Sequence, residues 1–375
     1  MTPRGNPIMV MAGIEKRSNS TFELLERLNV YGQAYQAARG TKEAKLVIFA
    51  SYVHQSTASA LQRDFEYLEI HPIKSRLWRL PRQIHSLRDL INIEKGEPRL
   101  LIAGDPVMGF LIAYIAKLIS FNRHFLQVQF HGDIYRKPRK FGIKNYVRWV
   151  LARFQISVAT SIRVVSRHQA IEISKLNSSK GRNVVLAPIP IGREFYSARL
   201  DRERNSVGFI GRFHVERGIN LLQEIVSEAS LSNPELRFHI IGDGPERINF
   251  ENKLKQSIEL KRVFMLGWQN HKNLIGELER MTILLSTASS EGYGLAIREA
   301  VLAGTQVIAK DSGGAREAQA DFPNSVYIYK DLESALRLIS ERINTDLPHS
   351  VVIEARKLQV ESDLMSTQAL VNSWW

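Results

Sequence analysis

The sequence predicts an α/β protein made of two doubly wound, parallel-sheet (Rossmann-like) domains. Short β-branched and apolar runs alternate with helix-like patterns along the chain, which is typical of parallel sheets covered on both faces. The runs form two series, separated by the polar and aperiodic stretch 191–206. A length of 375 residues suits two domains of ordinary size.

Each predicted strand ends in a turn-forming or polar residue, and a helix-like pattern follows it. The first series consists of "PIMVMAG", "KLVIFAS", "RLLIAGD", "FLQVQFHGD", "SIRVVS" and "NVVLAP". The second consists of "SVGFIGR", "LRFHIIGDG", "VFMLG", "TILLST", "TQVIAK" and "SVYIY". We therefore predict domains at 1–195 and 203–348, and a C-terminal helical segment at 349–375 that packs back on the first domain.

The composition is that of a soluble globular protein, with 44% hydrophobic and 24% charged residues. The chain contains no cysteine, which favours a reducing compartment and excludes disulfide and thiolate chemistry. The most apolar segment, "GFLIAYIAKLISF", contains a lysine and is shorter than the roughly 20 apolar residues of a spanning helix. We predict a cytoplasmic protein, with a peripheral position at the inner membrane face as an alternative.

The formal net charge of +13 indicates polyanionic partners such as nucleic acid, anionic lipid or phosphorylated substrates. Basic and aromatic residues alternate in the segment 135–153, which suits contact with an anionic membrane surface. A solvated basic face is the alternative. The chain shows no helix-turn-helix, zinc spacing or aromatic RNA-binding pattern, so we predict no nucleic-acid partner.

The residues after a strand of the second series combine positive charge with the start of a helix. In "VGFIGRFHVERGINLLQEI" the strand ends at Gly211, Arg212 and Arg217 follow, and an amphipathic helix begins near Gly218. A helix N-terminus and two guanidinium groups are suited to bind a diphosphate. An ordinary strand-to-helix loop with surface arginines has the same appearance.

A second cluster, "EGYGLAIREA", follows the strand "TILLST". Gly292 and Gly294 allow the backbone to approach a ligand closely, and Glu291 can accept hydrogen bonds from sugar hydroxyls. Glu299 lies on the helix that follows. Two glutamates at this spacing also occur by chance on protein surfaces, so the order of all the motifs carries the interpretation.

In that order, the chain resembles the retaining GT-B glycosyltransferases of family 4, also called glycosyl transferases group 1. The resemblance is specific from about Ser206 to Tyr329 and looser through "QFHGDIYR", "RVVSRHQAIEI" and "NVVLAPIPIGREFY". It implies two domains facing a cleft, with the acceptor on the N-terminal domain and a nucleotide-sugar donor on the C-terminal one.

The resemblance also implies roles for individual residues. Arg212 would contact the donor diphosphate, and Arg217 occupies a position where the family usually has lysine. Glu291 would face the sugar ring, Glu299 would hold the ribose hydroxyls, and the amides of Gly292, Tyr293, Gly294 and Leu295 would lie beside the sugar. His131 matches the family's histidine near the reacting sugar. The family's glycine-rich loop after the first strand is reduced to Gly13, on the acceptor side.

No Asp-x-Asp pair occurs in the chain, so we expect no metal and no other cofactor. The arginines and helix dipoles would meet the leaving-group charge. We predict a hexosyltransferase acting on a glycan or lipid-linked acceptor with retention of configuration. The alternatives are a sugar-nucleotide epimerase of similar fold and a basic nucleic-acid-binding protein.

Overall fold

The computed structural model contains two compact units, residues 1–190 with 364–375 and residues 191–363. The sequence instead predicts boundaries at 195, 203 and 348. The structure describes residues 3, 5–11, 19–51, 61–73, 80–92, 97–121, 123–136, 143–176, 180–197 and 205–375.

The first unit is built on a seven-stranded parallel sheet of order β3-β2-β1-β4-β5-β6-β7. Its strands are β1 Ile8–Met11, β2 Leu46–Ser51, β3 Leu68–Ile73, β4 Leu100–Ala103, β5 Phe125–Phe130, β6 Ser161–Val164 and β7 Asn183–Leu186. Its described helices are α1 Asn19–Arg39, α2 Leu80–Asn92, α3 Met108–Ile119, α4 Ile143–Val158 and α5 Arg167–Ser174.

Side-chain alternation along β1 shows how both faces of this sheet are covered. Ile8 and Val10 belong to one hydrophobic cluster, whereas Met9 and Met11 belong to another. Successive side chains of a strand point to opposite faces, so a strand buried on both sides reads as a continuous apolar run. This is why the strands could be predicted from the sequence.

The strand β3 was not predicted, because His71 and Pro72 interrupt its apolar pattern. It lies at the edge of the sheet and pairs in parallel with β2, from Leu46↔Leu68 to Ser51↔Ile73. Proline has no N–H to donate, and edge strands are where a sheet tolerates that loss.

The second unit is built on a six-stranded parallel sheet of order β10-β9-β8-β11-β12-β13. Its strands are β8 Ser206–Ile210, β9 Arg237–Ile241, β10 Val263–Gly267, β11 Ile283–Ser286, β12 Gln306–Lys310 and β13 Val326–Tyr329. Its helices are α6 Ile219–Ser232, α7 Arg247–Lys253, α8 Lys255–Glu259, α9 His271–Arg280, α10 Leu295–Leu302, α11 Gly313–Asp321 and α12 Leu332–Arg342. Short 3-10 helices occur at Arg193–Ser197 and Val215–Arg217.

The last helix, α13 His349–Asn372, belongs to both units, because the chain returns to the first unit after Asp363. The C-terminal residues are tied into the first unit: the ring of Trp374 lies 5.6 Å from that of Tyr35, and Gln127 Nε2 donates to Ser373 Oγ at 3.0 Å. The last residues of α13 and the chain end after it thus belong to the first unit.

Candidate functional site

The strand order of the second sheet reverses between β8 and β11. These two strands are neighbours, paired at Ile283↔Val207 and Leu284↔Gly208, and the chain leaves them in opposite directions along the sheet. Loops that follow strands on either side of such a reversal form a crevice, the usual ligand site of an open α/β sheet. Both charged clusters of the sequence follow these two strands.

The two clusters meet through an ion pair. Arg217 Nη1 donates to Glu291 Oε2 at 2.5 Å, and both side chains are partly exposed. The backbone holds them in place, because Thr287 Oγ1, just after β11, donates to the carbonyl oxygen of Arg217 at 2.7 Å. A cation suited to phosphate and a carboxylate suited to sugar hydroxyls are therefore direct neighbours.

Gly218 brings the start of α6 against the loop after β11. Its φ is +69°, and a Cβ on it would lie 2.2 Å from the carbonyl oxygen of Thr287. A side chain would both strain the left-handed backbone and overlap the neighbouring chain. The N-terminal N–H groups of α6, a 14-residue helix, thus lie beside the loop that carries Glu291.

Arg212 lies in the turn between β8 and the 3-10 helix and is exposed to solvent. The turn is anchored by buried Phe213, whose N–H donates to the carbonyl oxygen of Asp243 at 2.9 Å. Among the residues that the structure describes, no carboxylate forms an ion pair with Arg212. Its guanidinium group is available to an anion from solvent.

The Gly-Tyr-Gly turn leads into α10 through a left-handed residue. Gly294 has φ +77° and precedes Leu295, the first residue of the helix. The N–H of Gly314, on α11, donates to the carbonyl oxygen of Glu291 at 2.8 Å and fixes the turn. Gly292 is buried and Leu295 half-buried. The turn is thus held by a backbone hydrogen bond and by a left-handed glycine.

The side chain of Tyr293 points into the protein, where it packs against Arg298. The guanidinium carbon of Arg298 lies 4.4 Å from the centre of the Tyr293 ring and 5.5 Å from that of Phe322. Arg298 is 2% exposed and donates to Asp321 Oδ2 at 2.7 Å. A buried charge needs such partners. Tyr293 can therefore contribute a backbone amide to a ligand, while its ring supports the turn.

A hydrogen-bond chain continues from Tyr293 to the ends of the second unit. Gln359 Nε2 donates to the Tyr293 hydroxyl at 3.3 Å and to Asp363 Oδ1 at 2.7 Å. Asp363 Oδ2 also accepts from the N–H of Ile191 at 3.1 Å and from the Tyr196 hydroxyl at 3.0 Å. Burial raises the pKa of Asp363, and these hydrogen bonds oppose that rise.

Three residues of this network, Arg298, Gln359 and Asp363, were not predicted from the sequence. The sequence does contain a hint of the buried Arg298, because this charged residue lies within the mostly apolar helix "LAIREAVLA". Gln359 and Asp363 carry no such signal, because they lie on a helix whose partners are distant in sequence. Glu299, which was singled out, lies on α10 next to Arg298 and is 5% exposed.

In the first unit, His131 follows β5 and is exposed to solvent. Desolvation and the positive charges of Arg163 and Arg27 lower the pKa of His131, so its imidazole is neutral near pH 7. The exposure of the ring limits the contribution of desolvation, and the arginine charges act in the same direction. Gly13 lies outside the described residues.

Arg163, which was not singled out from the sequence, is buried beside the end of β5. It donates to Gln129 Oε1 at 2.9 Å, to the Tyr31 hydroxyl at 2.6 Å and to the carbonyl oxygen of Ala187 at 3.1 Å. These bonds connect Arg163, on β6, to helix α1 and to the ends of the two strands that flank β6, which are β5 and β7. A positive charge is thereby fixed close to His131.

The basic segment 135–153 is only partly described. Lys137, Arg139 and Lys140 lie outside the described residues. Arg136 Nε donates to Glu172 Oε2 at 2.5 Å, and Arg136 Nη1 donates to Asp133 Oδ2 at 3.2 Å. Its charge is therefore neutralised within the protein, which leaves less of this segment's charge for an external partner than the sequence suggested.

Two properties of the described residues bear on metals and membranes. Within those ranges, no group of three or more His, Asp or Glu side chains is arranged to hold a metal ion. None of the helices in the same ranges combines the length and apolar character that crossing a bilayer requires.

Comparison with known proteins shows similarity on two levels. Residues 192–357 match the family model of glycosyl transferases group 1. A curated relative, one of the subunits of the human phosphatidylinositol N-acetylglucosaminyltransferase, is 35% identical over 108 residues, which are 29% of this chain and 22% of that protein. The chain spans less than half the length of the curated relatives it matches.

Solved structures match nearly the whole chain at low sequence identity. Sucrose-phosphate synthase from Thermosynechococcus elongatus has a TM-score of 0.70 and 16% identity, with 98% of each chain covered. HepE from Anabaena in complex with UDP has a TM-score of 0.66 and 14% identity, covering 98% of this chain and 99% of that one. These matches confirm the predicted fold of two parallel-sheet α/β domains, which is the GT-B fold.

Proposed function

We propose that the protein is a glycosyltransferase of the group whose family model residues 192–357 match, and that it transfers a hexosyl group from a nucleotide-sugar to an acceptor with retention of configuration. The observation that carries the proposal is the ion pair of Arg217 and Glu291 at the strand reversal of the second sheet. It joins a phosphate-binding type of group to a sugar-binding type of group in one crevice.

The donor diphosphate binds to Arg212, Arg217 and the first N–H groups of α6. Guanidinium groups bind phosphate oxygens through paired hydrogen bonds, and the positive end of the helix dipole adds to this attraction. Charge develops on the leaving diphosphate as the glycosidic bond breaks. A preorganised donor aimed at such charge typically contributes ~3 kcal/mol in the transition state, without the need for a metal ion.

The ribose and sugar are held by the cluster after β11. Glu299 accepts hydrogen bonds from the ribose hydroxyls, and Glu291 accepts them from the sugar. The amides of residues 292–295 would contact the sugar from a turn that Gly294 and the bond from Gly314 hold in place. A rigid site avoids the loss of conformational freedom on binding.

Retention requires the acceptor oxygen to attack the face that the diphosphate leaves. The bond from the anomeric carbon to the acceptor oxygen forms as the bond to the phosphate oxygen breaks, and the acceptor proton passes to the departing phosphate. His131 is assigned to the acceptor side, where its neutral imidazole can exchange a hydrogen bond with the transferred sugar.

The relatives suggest which donor to test first. The human relative is named as a subunit of an N-acetylglucosaminyltransferase, and the HepE structure contains UDP. We therefore propose UDP-N-acetylglucosamine, followed by UDP-glucose, and an acceptor that is a glycan or a lipid-linked glycan. A lipid-linked acceptor would place the protein at the cytoplasmic face of a membrane.

The test is thermal unfolding with each nucleotide-sugar, followed by NMR of the product formed with candidate acceptors. A ligand at 100 times its dissociation constant stabilises the folded protein by ~2.7 kcal/mol. We expect one nucleotide-sugar to raise the unfolding temperature and the product to keep the anomeric configuration of the donor. Release of an altered sugar without any acceptor would instead identify an epimerase.

A further inference from the structure

Helix α4 exposes a continuous apolar stripe to solvent. The stripe consists of Ile143, Val147, Val150 and Phe154, whose exposed fractions are 86%, 57%, 46% and 42%. Their spacing of four, three and four residues places them on one face of the helix. The opposite face supplies Ala152 and Ile156 to the hydrophobic core. This helix is therefore apolar on two sides, and one of them faces water.

The apolar surface continues onto the neighbouring helix α3. The ring of Phe154 lies 5.3 Å from that of Tyr114 in an edge-to-face contact. Leu118 follows Tyr114 by one helical turn, and Phe121 lies just after the end of α3; they are 44% and 85% exposed. Single exposed apolar residues are ordinary, but a contiguous patch of this kind marks an interaction surface.

The charges around this surface are positive. Arg148 and Arg153 lie on α4, and the sequence of this helix contains no Asp or Glu. Lys117 lies in the last turn of α3, and desolvation and the positive charge of Arg182 lower its pKa. An anionic partner would offset this accumulation of positive charge, whereas a second copy of the same face would be repelled by it.

We propose that the exposed face of α3 and α4 docks on an anionic bilayer surface. The apolar stripe inserts at the level of the lipid headgroups, and the flanking basic residues contact the lipid phosphates. This differs from binding through the basic segment 135–153 alone, because Arg136 is already neutralised by Glu172 and Asp133. The proposal concerns membrane contact and holds whether or not the second unit transfers sugar.

Co-sedimentation with vesicles tests this surface. The full chain is mixed with phosphatidylcholine vesicles, with and without phosphatidylglycerol, at low and at physiological salt. The double variant Ile143→Ser/Val147→Ser removes the most exposed part of the stripe. Leu231→Ser/Ile248→Ser is the matched control, because these residues of the second unit are 75% and 73% exposed. Thermal unfolding without vesicles checks that each variant is folded.

We expect the wild type to bind the anionic vesicles and to bind them less as salt increases. The stripe variant should lose about tenfold or more in vesicle affinity, as two apolar side chains no longer leave water. Arg148→Ser should lose about fivefold, the effect of one basic residue near an anionic surface. The control variant should bind as the wild type does.

Three results would overturn the proposal. The first is a wild type that fails to sediment with anionic vesicles at low salt, and the second is a folded stripe variant that binds them as well as the wild type. The third is concentration-dependent self-association, measured by analytical ultracentrifugation, that the stripe variant abolishes while vesicles have no effect. The third result would identify the stripe as a contact between protein chains.

Discussion

At the scale of single residues, Arg217 and Glu291 neutralise each other before any ligand is present. A nucleoside diphosphate must compete with Glu291 for Arg217, whereas a nucleotide-sugar also brings hydroxyls that need the carboxylate. The change Glu291→Gln should therefore separate the two ligands. We expect tighter binding of the free nucleoside diphosphate, by up to about fivefold for a partly exposed ion pair, and weaker binding of the nucleotide-sugar.

Isothermal titration with the diphosphate and with the matching nucleotide-sugar measures both effects. Glu216→Gln is the matched control, because Glu216 adjoins Arg217 in sequence but its carboxylate lies 3.7 Å from His214 instead. If Glu291→Gln changed both affinities in the same direction, the proposal that carboxylate and phosphate compete for Arg217 would be wrong.

Glu299 tests the ribose side of the site. The change Glu299→Ala removes a charged acceptor of hydrogen bonds, so donor affinity should fall by about tenfold or more, the equivalent of ~1.5–3 kcal/mol. The measurement is titration with the nucleotide-sugar found by the thermal screen. Glu228→Ala, an exposed glutamate of α6, is the control. Unchanged donor binding by a folded Glu299→Ala protein would remove Glu299 from the site.

At the scale of secondary-structure elements, the site depends on two strand-to-helix connections that touch. The critical approach is at Gly218, where a Cβ would lie 2.2 Å from a backbone oxygen of the β11 loop. Gly218→Ala should lower the stability of the second unit by more than the ~1–2 kcal/mol of left-handed strain, and donor binding should weaken with it. Thermal unfolding and donor titration measure the two effects.

Gly40 supplies the matched comparison for this prediction. Its φ of +66° is similar, but nothing lies within 4 Å of a Cβ built on it. Gly40→Ala should therefore show the backbone strain without the overlap. Equal losses of stability in the two variants would mean that the contact between the loops after β8 and β11 contributes nothing.

At the scale of the whole molecule, the chain is positively charged and contains no Asp-x-Asp pair. We therefore expect arginines and helix dipoles to stabilise the negative charge on the departing diphosphate. Turnover should consequently persist in EDTA, within about twofold of the untreated rate. The assay is product formation with the donor and acceptor from the screen, before and after chelation. Complete loss of turnover that magnesium or manganese restores would contradict a metal-free reaction.

Much of this protein could be predicted from its sequence. The two series of apolar runs predicted every strand except β3, because strands buried on both faces need continuous apolar residues. The positions of Arg212, Arg217, Glu291 and Glu299 after strands of the second series placed them near one sheet edge, since the carboxyl ends of parallel strands share that edge. Local patterns are enough for conclusions of this kind.

Other features depended on contacts between distant parts of the chain. Only the tertiary structure shows that Arg217 pairs with Glu291 and that Tyr293 turns inward over Arg298. Asp363 bonds to Ile191, 172 residues earlier, where the chain enters the second unit. The stripe of α4 is another case, because an apolar helix face looks the same in sequence whether it is buried or exposed. The sequence by itself determined which residues are apolar, charged or flexible, and packing decided which of them face each other.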